Sequence, residues 1–174
     1  YSSAFTTTGS DSVGFSASYD IGNGFTGAIG YAGSGTSDSG LMTKDGTDYY
    51  GAQVAYAGDN YGVSVTYANL EGIVATTPAT DATAWGLNGY YVPDASLPSI
   101  SVGYEMGDTE SAAVKDTTQW FVGLQWDEMG PGTLGVAAGS KGPITDGADE
   151  LMAYEAFYSY PVNDSMTVTP ALFI

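Results

Sequence analysis

Residues 20–27 read DIGNGFTG, and Gly22, Gly24 and Gly27 within them make a literal Gly-x-Gly-x-x-Gly. That spacing serves a dinucleotide only where a strand feeds a helix, whose N-terminus then faces the pyrophosphate. Here the glycines lie between two alternating runs. Upstream, VGFSASYD sets Val13, Phe15, Ala17 and Tyr19 on one face and Gly14, Ser16, Ser18 and Asp20 on the other. Downstream, FTGAIGYA sets Phe25, Ile29 and Tyr31 against Thr26, Ala28 and Gly30. Period two with unlike faces is the mark of a strand. Asn23-Gly24 between two such runs is the strongest short-range hairpin signal. The stretch therefore predicts a β-hairpin, not a nucleotide site.

The same pattern recurs along the chain. Strands are expected near 12–20, 25–32, 48–57, 61–69, 84–92, 100–106, 118–126, 133–140, 150–160 and 166–174. The connections between them alternate in length: short at 21–24, 58–60, 93–99, 127–132 and 161–165, long at 33–47, 70–83, 107–117 and 141–149. This predicts an all-β fold, an antiparallel up-and-down meander of about ten strands. Tight turns fall at one end and long loops at the other. Alternating segments of roughly ten residues are what a transmembrane β-barrel strand requires. A soluble sandwich has no reason to sort its connections by length.

Composition agrees and removes whole classes of chemistry. The chain has 174 residues, 20 acids against 3 lysines, no His and no Cys, and a net charge of −17. Phosphate neutralisation needs cationic side chains that are scarce here, so nucleic acid is not an expected partner. Without Cys there is no disulfide, thiolate catalysis or soft-metal site. Without His the commonest general base and transition-metal ligand are gone. No cofactor and no metal site is expected. The 25 glycines and 14 tyrosines suit strands.

On the apolar face, aromatics recur six residues apart: Phe25 and Tyr31, Tyr50 and Tyr56, Tyr61 and Tyr67, Trp85 and Tyr91, Trp120 and Trp126, Tyr154 and Tyr160. Six strand residues span about 20 Å, which matches aromatic girdles bordering a lipid-facing band about 25 Å tall. These twelve are the candidate membrane-interface residues. By this parity no charge falls on the apolar face. Only Glu105 and Glu155 lie well inside the expected strands, both on the polar face. That face is otherwise small, with Ser, Thr, Ala and Gly predominating. Faces so small could not fill a narrow barrel, so either more strands close it or something else occupies the lumen. The candidate pore-lining residues are Glu105, Glu155, Gln119, Gln125, Asn88, Tyr90 and Phe121; the bulkier ones, with Phe157, are candidates for a constriction.

The C-terminal stretch AYEAFYSYPVNDSMTVTPALFI (153–174) resembles the closing region of cyanobacterial outer-membrane porins of the iron-uptake or carbohydrate-selective type. The stretches YDIGNGFTGAIGY (19–31) and YYGAQVAYAGDNYGVSVTYAN (49–69) share the likeness. The resemblance implies that residues 1–174 are part of a transmembrane β-barrel. The surface-layer-homology domain such porins carry, and a final strand with a terminal aromatic, are not seen. It further implies an outer membrane of the Gram-negative type and contact with its lipid. Passive diffusion of small hydrophilic solutes and inorganic ions, iron included, is implied too, and a homo-oligomer, a trimer, is a candidate assembly whose state the sequence leaves open.

The leading expectation is thus a non-enzymatic diffusion channel that prefers cations. An alternative is a surface-displayed or secreted acidic β-sheet protein, an adhesin or layer subunit, binding a partner or Ca²⁺ through its long loops. No loop has EF-hand spacing, and TDGADE (145–150) is the best acidic cluster. A third is a hydrolase pairing Glu105 with Glu155, which would need them about 5–10 Å apart.

Overall fold

The computed structural model describes residues 12–34, 47–74, 80–93, 97–110 and 116–174. These hold twelve strands in one sheet: β1 Ser12–Gly22, β2 Phe25–Ser34, β3 Thr47–Ala57, β4 Tyr61–Val74, β5 Thr80–Tyr91 and β6 Ser99–Thr109. They continue with β7 Thr117–Met129, β8 Gly132–Ser140, β9 Ile144–Thr145, β10 Met152–Asn163, β11 Met166–Val168 and β12 Ala171–Phe173. Neighbours pair antiparallel in the order β1-β2-β3-β4-β5-β6-β7-β8-β10-β11, with β9 on β7 and β12 on β10. No helix occurs among the described residues. The fold is an antiparallel meander. Among the described residues β1 does not pair with β11 or β12, so the sheet is not closed on itself.

The opening stretch forms the expected turn. Asn23 and Gly24 both take positive φ, 52° and 83°, the requirement of a type I′ hairpin. Asp20 Oδ1 accepts a hydrogen bond from Gly22 N at 2.8 Å, and the register slips by one residue between them. No helix follows Gly24, and the dinucleotide reading ends there.

Twelve strands replace ten for two local reasons. Thr118 and Thr117 pair with Ile144 and Thr145, so β9 forms inside the expected 141–149 loop. The last expected strand is broken at Thr169-Pro170. Pro170 has no N–H to give the ladder, yet its carbonyl accepts from Tyr158 N at 3.1 Å. The pairs Tyr160–Val168 and Phe157–Ala171 keep one register across the break. β11 and β12 are therefore one strand interrupted by a proline.

The strands also run further than expected at the long-loop end. β4 and β5 pair as far as Val74–Thr80, with a register shift after Leu70. Glu71, Asp81 and Asp108, expected at loop edges, lie in strands, as do Asp127 and Glu128 at the other end. Loop length is set by how far the ladders extend, and polar residues extend them once they stand in water.

The parity of the two faces holds across the sheet. Phe15 faces Tyr31, Tyr31 faces Tyr50, Val54 faces Val65, Leu87 faces Tyr104, and Leu124 faces Val136. Rings meet along one end of this face in Phe15–Tyr31 and Tyr31–Tyr50, with centroids 5.6 and 5.3 Å apart, and in Tyr67–Trp85 at 4.7 Å. At the other end Phe25–Tyr56 and Tyr56–Tyr61 meet at 4.8 and 5.5 Å. Each such pair contributes about 0.5–1.5 kcal/mol beyond its area.

Asp48 corrects the expectation of a charge-free apolar face, since it shares the parity of Tyr50 and Tyr56. It is fully buried at the loop end, where Tyr31 Oη donates to its Oδ1 at 2.5 Å. Its Oδ2 has no hydrogen-bond partner among the described residues. Gly33 makes room for this contact, because a Cβ there would overlap both Tyr31 Oη and Asp48 Oδ1. Trp120 is held similarly, its Nε1 donating to Glu150 Oε1 at 2.6 Å.

There is almost no core. Tyr31, Ala32 and Ala68 are the buried hydrophobic residues among those described, while Phe15, Tyr19, Ile29 and Leu172 are 60% or more exposed. A water-soluble monomer does not present an apolar face this continuous. A single-layer sheet of this kind is stable where lipid covers one face.

Candidate functional site

The face opposite the aromatics is built in rows by the register. One row runs Gln53, Thr66, Gly86, Glu105 and Gln119 across β3 to β7. The next runs Ser64, Asn88, Gly103, Phe121 and Gly139 across β4 to β8. Gln53 Nε2 donates to Thr66 Oγ1 at 2.8 Å. Between these rows lies a cavity of about 310 Å³, lined by Thr66, Asn88, Glu105, Gln119, Phe121 and Ser140 among others. Gly86 keeps it open, since a Cβ there would meet nothing nearer than 3.9 Å.

Of the seven residues singled out from sequence, Asn88, Glu105, Gln119 and Phe121 come together at this cavity. The other three stand elsewhere. Glu155 faces Ala137 and Phe173, and Tyr90 faces Gly62 and Ser101. Gln125 Nε2 donates to Asp127 Oδ1 at 2.6 Å. Glu105 and Glu155 are not neighbours. β7 and β8 separate their strands, and their β7 row positions, Gln119 and Gly123, differ by four residues. That places them about 14 Å apart across the sheet and about 13 Å along it, too far for a paired-carboxylate hydrolase.

The aromatics of this face lie against it. A Cβ on Gly62 would run into the Tyr90 ring, one on Gly103 into Phe121, and one on Gly135 into Phe157. Each ring covers the glycine directly opposite on the next strand. Aromatic–glycine pairing of this kind protects backbone that glycine leaves bare. Thr66 was expected from sequence only as one of the small inward-facing residues, and Gln53 and Ser140 were not singled out. Parity alone places the first two on this face, but their convergence depends on inter-strand register, which no local pattern encodes.

The long-loop end is acidic. Burial pushes the Glu71 carboxyl above the ordinary range, and the Asp81 and Asp48 carboxylates push it the same way. No group of three acids among the described residues converges as a metal site. Asp11, Asp38, Asp45, Asp94, Lys44 and Lys115 lie outside the described residues. Because Glu71 is raised in the folded state, its share of stability is full below about pH 4.3. That share is lost as pH rises through the folded value. Glu71→Gln should therefore flatten the fall in stability between mildly acidic and neutral pH, read as the difference between the urea midpoints of the two proteins.

A profile of the Gram-negative porin family matches residues 1–171. No curated protein and no solved structure matches the chain.

Proposed function

The chain belongs to the Gram-negative porin family, a family of outer-membrane channels and not of enzymes, and on that premise we propose that it supplies the wall of a cation-preferring pore. The aromatic-bearing face meets the lipid, and the twelve girdle aromatics mark its two borders. The polar face meets water and passes small hydrophilic solutes and inorganic ions, with metal cations such as iron among them. Residues 1–174 form part of the barrel, and the assembly is a homotrimer. The phrase at 153–174 supports a place beside the cyanobacterial iron-uptake porins.

One observation carries the cation preference. Glu105 and Glu155 are the mid-strand charges of the polar face among the described residues, and no lysine of those residues stands with them. Fixed negative charge raises the local concentration of cations over about 8 Å at physiological ionic strength. Reversal potentials across a KCl gradient should show cation selectivity, and Glu105→Gln with Glu155→Gln should move them toward zero. Anion selectivity that the double substitution leaves unchanged would sink the reading.

A further inference from the structure

Two glycines and four side chains form a compact patch in the middle of the polar face. Gly86, Glu105 and Gln119 follow one another across β5, β6 and β7, and beside them stand Asn88, Gly103 and Phe121. The glycines make the floor. Phe121 folds over Gly103, and Asn88 Oδ1 reaches over the same glycine, 2.8 Å from where a Cβ would be. Glu105 stands diagonally across from both, at the spacing that lets long or aromatic side chains act together. All six residues line the one cavity.

The charge of this patch is one-sided. Its one charge is the Glu105 carboxylate; Asn88 and Gln119 add side-chain amides, each with a carbonyl that can accept, and the Phe121 ring is 45% exposed. Among the described residues no cationic side chain lines the cavity, so none of them gives Glu105 a counter-charge within it. A neutral solute would leave that charge uncompensated, and an anion would be repelled. A small inorganic cation, held in its hydration shell, brings no apolar surface to the ring. An ammonium group fits all of it: three N–H donors for three acceptors, and cation–π attraction with apolar contact at the ring.

We propose that this patch is a binding site for small organic cations, aliphatic amines with a short apolar stem, which pause there in transit. The proposal rests on the cation-preferring channel reading and narrows it to a solute class.

Propylammonium is the probe, with potassium, glucose and propanol as comparators. On the full chain in planar bilayers, propylammonium should reduce potassium conductance saturably, and glucose and propanol should act only in proportion to concentration. Phe121→Leu keeps apolar bulk over Gly103 but no ring face, and should weaken the block about threefold or more. Phe121→Tyr should restore it. Glu105→Gln should weaken it about tenfold or more. Glu155→Gln, two rows from Glu105, should shift the KCl reversal potential yet leave the propylammonium block unchanged, which separates this site from cation preference at large.

Calorimetric titration of the folded protein in detergent gives the same affinities without conduction. Saturable, Phe121-dependent binding there upholds the site even if no cation preference is found. Propylammonium indistinguishable from potassium in every variant overturns the site even if the pore is cation-selective. Saturable binding of glucose in its place also overturns it.

Discussion

Val65→Arg and Leu124→Arg will each cost about 2–4 kcal/mol of folding stability in lipid vesicles, which is roughly a 30- to 800-fold loss in the folding equilibrium. Val65 lies between Val54 and Leu87, and Leu124 between Ile100 and Val136, both inside the band bounded by the two aromatic ends. A guanidinium there must either sit in hydrocarbon or drag water to it. The adjacent residues turn the other way. Thr66 lines the cavity, and Arg in its place gives up one hydrogen bond to Gln53, about 0.5–1.5 kcal/mol. A side chain added at Gly123 first meets Ser101 Oγ at 3.4 Å, so Arg there can extend into water. These two substitutions should leave folding nearly intact and change conductance. Urea titration of folding into vesicles checks the difference. Equal losses at all four sites would mean that the two faces have been misassigned.

Gly139→Ala should be the most damaging small substitution on the polar face. The new Cβ would stand 2.5 Å from the Trp120 carbonyl oxygen and 3.1 Å from Phe121 Cα and Cβ. Those are atoms of the paired strand, and β6 holds that strand from its far side. Neither can give way, so β7 and β8 must part locally. Overpacking of this kind costs about 1–3 kcal/mol. Gly86→Ala is the control, because its Cβ would find nothing nearer than 3.9 Å. Removing a glycine's freedom in the unfolded chain should make that change neutral or stabilising by about 0.4–1 kcal/mol. If the two alanines cost the same, the close approach of β7 and β8 at Gly139 does not exist.

The hairpin at Asn23-Gly24, the order of the strands and the side-chain parity were legible in the sequence, because each is written in a few consecutive residues. Alternation fixes the face, and a glycine-bearing dipeptide fixes the turn. The ends of β4, β5 and β6 were not legible. Glu71, Asp81 and Asp108 look like loop residues until a neighbouring ladder carries the strands past them. β9 was missed because two residues carry no period, and it exists only through Thr117 and Thr118 on β7. The site was legible as a face and not as a place. Parity put Glu105 and Glu155 together on one side, but only the register shows that Glu105 shares its cavity with Asn88, Gln119 and Phe121. The same register leaves Glu155 two rows away. Likewise, a bulky ring on a pore-facing position suggests a constriction. The glycine opposite, which lets the ring lie down, is on another strand.

The central claim is that this sheet forms a water-filled passage through a membrane. The direct test is to add the purified protein to one side of a planar lipid bilayer and record current at fixed voltage in potassium chloride. Discrete upward steps of uniform size, larger in the presence of small cations than of large ones, are the expected result. A bilayer that stays silent although the protein has folded into it, with its aromatic face in lipid, would contradict the account.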